Sequence, residues 1–595
     1  MQLRMNFTSY ASTANIGLAS IAFIFLICSL YFQQNIGGEG LFLPYNTAIW
    51  TGTALTITLG IITALKHGKF AFSRYWPGLL AFPLCVIVSG YIAETLTPIE
   101  WLFRQLYIIA GIAFLFALFQ FRWKNKDLDK LLYTLLIAGF IQAIYGAAQL
   151  LWQGTITSFL APSISNQGYG IFQQINLQAS FQATMLLICL YLMSRPSFNF
   201  LSNLQKSLLF ISLFSSSYMI ATAGSRVGVL SALIGIVLIT IGRCNHIKQR
   251  KLTFIFAAIV IVIAAYQGKT GLLTSYSKLS DLTGDVVAIQ GSASRKNIYA
   301  TTYELTKQSP WVGHGIGSFQ NTWQTEKIDF LQQNPDAIFP SDRLSHPHNE
   351  ILFWAAEGGL VALTGILIAT LTILAAAFNC GWRRGLTYLA LLFPIGLHCQ
   401  VELPFYISSL HWILFLTLFF LILQHSRKQV NIQLSHAATI SLQTVSLIIL
   451  LGTASFMLQA NKANTAIVNF LNSRMSQPAL LQPALENTYF NETAELYLMR
   501  TLMLRSLKSQ NYDFLPEFIS WAEAFLQKRP VPQLYIDLSQ AYIALGNDHK
   551  ADQAFTLVKK MYPGNAAVVS AISFFKQQAS SQALTTETPN TTAQE

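Results

Sequence analysis

Charge is scarce in this sequence. Only 11% of its 595 residues are Asp, Glu, Lys or Arg while 53% are hydrophobic, against about a quarter charged in an ordinary soluble chain. A water-soluble core has no use for so much apolar sequence, so a polytopic membrane protein is expected. Cysteine is also scarce: of six, Cys28, Cys85 and Cys189 fall in apolar runs, Cys244 and Cys380 in short basic loops, and Cys399 alone near the end of a run. That distribution suggests neither a disulfide framework nor a thiolate metal cluster. A nucleotide loop is missing as well. The glycines of Ser309–Phe319 follow no strand and sit in no βαβ unit, so they suit a tight turn against the membrane face.

What the sequence does have is about thirteen apolar runs of spanning length. Lys and Arg crowd alternate loops: Lys66, Lys69 and Arg74; Arg122, Lys124, Lys126 and Lys130; Arg195 and Lys206; Arg243, Lys248, Arg250 and Lys251; Arg383 and Arg384; Arg427 and Lys428. The other short loops carry almost none, Arg226 being the exception. Positive charge in short loops resists translocation, so the basic loops and the N-terminus are expected in the cytoplasm and the remaining loops outside. The net charge of +12 is then mostly an orientation signal, and nucleic acid is not an expected partner, whereas membrane lipids are.

The expected class is an all-α polytopic membrane bundle with a large outer loop and a C-terminal helical domain. The expected divisions are 1–267, an N-terminal transmembrane bundle; 268–349, an outer loop; 350–459, further transmembrane helices; 460–579, an outer helical domain; and 580–595, a disordered tail. Within 460–579, Tyr535, Leu538, Tyr542, Gly546, Ala551, Phe555 and Pro563 stand at tetratricopeptide-like positions.

The polar hexad Ser345-His346-Pro347-His348-Asn349-Glu350 closes the outer loop just before an apolar run. Pro347 favours an extended His346 and a helix starting directly after it, which puts His348 and Asn349 in the first turn, where free N–H groups attract anions. Arg226 breaks the charge asymmetry on the outer side and suits phosphate, as does Arg295 further along. The stretch Ser165–Asn176, rich in glycine and amides and including Gln174 and Asn176, suits a sugar. Glu402 and Tyr406 lie in another outer turn. Glu94, Glu100 and Arg104 read as a structural rim pair, and Glu357 faces the bundle interior about two turns below His348.

Arginines at an outer site with neither nucleotide loop nor metal cluster fit a lipid-borne donor whose leaving group is a diphosphate. An imidazole, with an ordinary pKa near neutrality, suits removal of a proton from an acceptor hydroxyl. His348 is the candidate base; a capping imidazole is the plain alternative. His346, Gln174 and Asn176 are candidates to orient it or hold sugar hydroxyls. His346 and His348 have no third metal ligand at motif spacing, and no cofactor is called for. A transporter is the alternative of another class, and the small number of ionisable residues in mid-span counts against it.

The outer loop ending in His346-Pro347-His348-Asn349-Glu350, with Gly359 after it, resembles the O-antigen ligase/polymerase superfamily. Gly170, Gln174, Asn176 and Ala179, with the helical C-terminal extension, look more specifically like PglL-type protein O-oligosaccharyltransferases. The resemblance implies a multi-pass inner-membrane enzyme with a periplasmic site. It would move a glycan en bloc from undecaprenyl diphosphate to a Ser or Thr hydroxyl of a periplasmic protein such as a pilin, without metal. It implies His348 as the essential histidine, Arg226 and Arg295 as diphosphate ligands and Gln174 as the family glutamine, with Asn349, Glu402 and Tyr406 in support. Two motifs depart from the family: Gln-Pro-Asn reads Gln174-Ile175-Asn176, and Glu-Tyr-Pro reads Glu402-Leu403-Pro404, leaving Tyr406 as a substitute tyrosine. The alternative inside the superfamily is a ligase or polymerase acting on lipid A-core or lipid-linked glycan, and Ala362 disfavours the ligase.

Overall fold

The computed structural model describes residues 13–152, 161, 167–273, 286–340 and 342–575. Ser165 and Asn166 of the amide-rich stretch and the 580–595 tail lie outside the described residues. Among those described, the protein is all-α apart from one antiparallel ribbon of β1 (Lys69–Ser73) and β2 (Arg427–Asn431).

Every apolar run read from the sequence lies on a helix. In chain order these are α1 (Thr13–Ala22, carried on by tighter and wider turns to Leu30), α2 (Pro44–His67), α3 (Trp76–Ile92), α4 (Pro98–Gln120), α5 (Asn125–Leu151), α6 (Ile175–Ser194), α7 (Asn203–Ala223), α8 (Arg226–Gln249) and α9 (Lys251–Gln267). The outer loop contributes α10 (Val286–Gln308) and α11 (Phe319–Gln333); α12 (Glu350–Asn379), α13 (Trp382–His398), α14 (Ser409–Leu423) and α15 (His436–Asn472) follow. Among the described residues, ten helical stretches are long and apolar enough to cross a membrane; α3, α9 and α13 are shorter, at 17 residues each.

The centre of the bundle is α6, buried on every side from Leu177 to Ser194 and packed by α5, α7, α8 and α13. The basic loops meet at one end. β1 pairs with β2, Arg195 Nε lies 2.6 Å from Asp129 Oδ1, and Arg243 and Arg250 donate to carbonyls of Ser194 and Met193 at 2.8 Å. The long loop and the hexad share the opposite end.

Helix α12 is broken at Gly359, whose φ of 59° and ψ of −161° no helix contains. The break leaves backbone groups without helical partners, which a membrane helix cannot leave bare. The turn at 310–315 supplies them. Pro310 and Trp311 carbonyls accept from Leu360 N (2.8 Å) and Val361 N (3.0 Å), and His314 and Gly315 N–H groups cap Ala356 O (2.9 Å) and Glu357 O (3.0 Å). A Cβ on Gly359 would lie 2.5 Å from the Trp311 backbone, and one on Gly313 would lie 2.4 Å from that of Glu357. Glycine is required at both by the close approach of the two chains.

Helix α15 runs unbroken through position 459 and on to Asn472, so the C-terminal helices leave the bundle on a rigid stalk. They are α16 (Asn491–Ser509), α17 (Leu515–Lys528), α18 (Pro532–Ala544) and α19 (Asp548–Met561), around a core that includes Met503, Phe518, Leu534 and Tyr562. This unit docks on the long loop: Ile328 of α11 joins its core, and Gln324 Nε2 donates to Met561 O at 2.7 Å.

Candidate functional site

Glu402 owes its position to the way α13 stops. The helix ends in a turn in which Glu402 N bonds back to His398 O at 3.0 Å, and Pro404 keeps Leu403 out of the helical region (φ −109°, ψ 73°). The Glu402 carboxylate is 6% exposed and collects three donors. His348 Nδ1 lies 2.9 Å from Oε1, His346 Nε2 3.5 Å from the same oxygen, and Gln174 Nε2 3.4 Å from Oε2. Burial alone would raise its pKa, but the bond from His348 and the neighbouring imidazoles hold it below the usual carboxylate range.

His348 does not enter the first turn of α12, contrary to the expectation from sequence. Asn349 caps that helix, its Oδ1 accepting from Leu352 N at 3.0 Å, and α12 starts at Glu350. His348 stands before the cap with φ +55°, a left-handed conformation that costs a non-glycine residue about 1–2 kcal/mol. Tyr299 holds it there, its hydroxyl donating to His348 O at 3.2 Å. Gln173, next to Gln174, is also left-handed at +55°. Thus two of the few strained non-glycine residues flank this carboxylate.

The hydrogen bonds also fix the tautomers. A carboxylate only accepts, so His348 carries its proton on Nδ1 and leaves the Nε2 lone pair free; its side chain is 28% exposed. His346 Nδ1 accepts from the backbone N–H of His348 at 3.2 Å, so its proton is on Nε2, aimed at Glu402. Burial pushes the His346 imidazole down to about 4, which keeps that ring neutral. Ligand atoms of His346, His348 and Glu402 lie within 4.8 Å of one another, so Glu402 is the third candidate metal ligand that the local motif lacks. A metal on His346 Nε2 would need that proton removed and the Nδ1 contact broken, so the arrangement fits a hydrogen-bonded triad better than a metal centre.

The other predicted residues are placed as follows. Asn176 Oδ1 accepts from Ser225 Oγ at 2.8 Å, tying the amide stretch to the turn that starts α8 with Arg226. Arg226 and Arg295 are both exposed, and Arg295 lies one turn before Tyr299 on α10. Asn349 is committed at both ends of its amide, to the cap and to Gln400 O (3.0 Å). The Tyr406 hydroxyl bonds Glu100 Oε1 at 3.2 Å, and Leu403 is fully buried in an apolar cluster with Ile298, Phe319 and Phe353. Glu100 and Arg104 do pair, at 2.6 Å, but Arg104 pairs with Glu357 as well, so the rim pair is part of a buried network.

Sequence reading missed Tyr299 and a ladder of buried glutamines. Gln149 brackets Gly170, Oε1 accepting from its N–H at 2.8 Å and Nε2 donating to its carbonyl at 3.1 Å. Gln142 Oε1 accepts from Ile171 N at 3.3 Å, and Gln178 Nε2 donates to Gln142 O at 3.1 Å. Their spacing, 142 with 149 and 178 with Gln182, puts each pair on one helix face and was the available signal.

Two family models match the chain. A family model described as O-antigen ligase matches residues 211–367, and one described as the C-terminal part of a virulence factor membrane-bound polymerase matches 386–574. The chain belongs to the O-antigen ligase superfamily. The first match contains Arg226, Arg295 and His348, the second Glu402, Tyr406 and the C-terminal helices. No curated protein matches the chain. Membership carries a membrane-bound glycosyl-transfer activity, and Gln174 and Asn176 lie outside both matched regions.

Proposed function

We propose that the protein is an O-oligosaccharyltransferase. It transfers a glycan from undecaprenyl diphosphate to a Ser or Thr hydroxyl of a periplasmic protein, a pilin being the type of acceptor expected. The observation that carries this reading is the His348–Glu402 pair: Nδ1–H held by a buried carboxylate, in a side chain that is itself 28% exposed. The acceptor hydroxyl attacks the anomeric carbon, its proton passes to His348 Nε2, and the bond from that carbon to the diphosphate oxygen breaks. Glu402 stabilises the imidazolium, as a buried carboxylate does in a hydrolase triad. Arg226 and Arg295 take the negative charge that builds on the leaving diphosphate. Gln174, whose Oε1 is buried without a partner, accepts from a sugar hydroxyl. On this reading the protein lies in the inner membrane with the site and the C-terminal helices in the periplasm.

A second reading, transfer to lipid A-core or growth of a lipid-linked glycan, is favoured by the descriptions of the two family models. Expression with a lipid-linked glycan and a pilin, followed by mass spectrometry of intact glycopeptides, separates the two. Glycopeptide that disappears with His348→Ala is the expected result; glycan found only on lipid A-core would sink the first reading.

A further inference from the structure

An arginine of the C-terminal helical unit joins the ion pairs that run behind the site. Arg529, at the end of α17, pairs inside its own unit with Glu492 (Nε to Oε2, 2.7 Å) and across to Glu100 in the first turn of α4 (Nη2 to Oε2, 3.3 Å). The other oxygen of Glu100 takes Arg104 at 2.6 Å and the Tyr406 hydroxyl at 3.2 Å. Arg104 then pairs with Glu357 of α12, whose Oε1 accepts from Phe319 N at 3.2 Å. Its guanidinium lies over the rings of Phe353 (4.6 Å) and Tyr406 (5.0 Å).

The charges run inward, from side chains 26% exposed at Arg529 through 18% at Glu100 and 10% at Arg104 to 1% at Glu357. Each inner charge is costlier to leave unpaired than the one outside it, so the chain resists being broken anywhere but at its outer link. Two segments are fastened to it. Tyr406 belongs to the turn that presents Glu402, and Phe353 and Glu357 belong to the first segment of α12, directly behind His348.

We propose that Arg529 is a positioning residue, through which the C-terminal helical unit holds His348 and Glu402 in register. This rests on the reading of that pair as the base and its support. A misplacement of about 1 Å can cost a hundredfold in rate, so losing the outer link should lower turnover while leaving donor binding alone.

The test uses the full-length protein in detergent with a lipid-linked glycan donor. Arg529→Gln is expected to lower kcat about tenfold with the donor KM changed less than about twofold. Arg529→Lys should recover most of the loss. Glu492→Gln, which touches only the partner inside the C-terminal unit, should stay within about twofold of the unsubstituted protein. Amide exchange at 401–406 and 313–319 should quicken about tenfold in Arg529→Gln while α18 and α19 keep their protection. If that variant does not fold, Tyr406→Phe removes one bond to Glu100 and should lower kcat about threefold. Unchanged kcat and exchange, a rise in donor KM in place of the fall in kcat, or an equal loss in Glu492→Gln would overturn the proposal. If the unsubstituted protein transfers nothing, the reading of the site fails, and the exchange measurement alone decides the role of Arg529.

Discussion

His346 and His348 share one carboxylate, Glu402; deeper in the bundle, His398 and His411 share one hydroxyl, Ser180, at 2.9 and 3.3 Å. The two pairs contain the same residue type and sit beside the same helix end. Their partners differ, and so does what each can do. An anion lowers the free energy of the imidazolium that forms when a base takes a proton, whereas a hydroxyl does so only weakly. Access differs too: the His348 side chain is 28% exposed, while His398 and His411 are fully buried. The upper pair is built for proton transfer. The lower pair pins α6, α13 and α14 together, His411 adding a contact with Leu177 O at 3.1 Å and one with Ser408 Oγ at 2.9 Å.

Removing the upper imidazole should break this comparison hardest. His348→Ala is expected to lower transfer about a thousandfold while donor still binds; unchanged transfer would remove His348 from the chemistry. Glu402→Gln keeps the shape and loses the charge, so a fall of about a hundredfold in kcat is expected, and a fall confined to KM would deny it the supporting role. Acid acts on His346. Its pKa in the folded protein is about 4 against about 6.5 unfolded, so the stability from its neutral form is complete above about pH 6.5 and lost as the pH falls towards 4, about 2 kcal/mol being gone by pH 5. His346→Asn should therefore flatten the decline in melting temperature between pH 7 and pH 5, and an unaltered slope would contradict the buried neutral ring. Arg226→Ala should raise the donor KM about tenfold with kcat less affected; unaltered donor affinity would leave the diphosphate without that ligand. Ser180→Ala, in the lower pair, should cost stability of about 1 kcal/mol and change transfer less than about threefold. A loss there as large as that of Glu402→Gln would erase the distinction between the pairs.

Most of the fold could be read from the sequence, because apolar length is a local property: every predicted run lies on a helix, and the loops grouped by their basic residues meet at one end. The site was legible in part. His348, Gln174 and Glu402 stand out as polar residues at the ends of apolar runs, yet that the first two meet on the carboxylate of the third depends on how α6, α12 and α13 end against one another. An amide beside a histidine, as at Asn349, can serve a ligand or a helix end equally well in sequence, and the 3.0 Å contact with Leu352 N shows that it caps α12. Arg104 was legible only in part. A pair four residues apart on a helix, Glu100 with Arg104, is complete by itself in sequence, and nothing local shows that Glu357 and Arg529 join it.

The break at Gly359 sets where this protein can be cut and rejoined. Residues 350–358 have their last carbonyls capped by the turn at 310–315, so mechanically they belong to the long loop and not to the membrane helix that continues their sequence. A chimera that exchanges loops between two members of the superfamily should have its joint at Gly359, with Pro310–Gly315 and the histidine motif taken from the same parent. Joined at Glu350 instead, the two halves of one set of hydrogen bonds would come from different proteins.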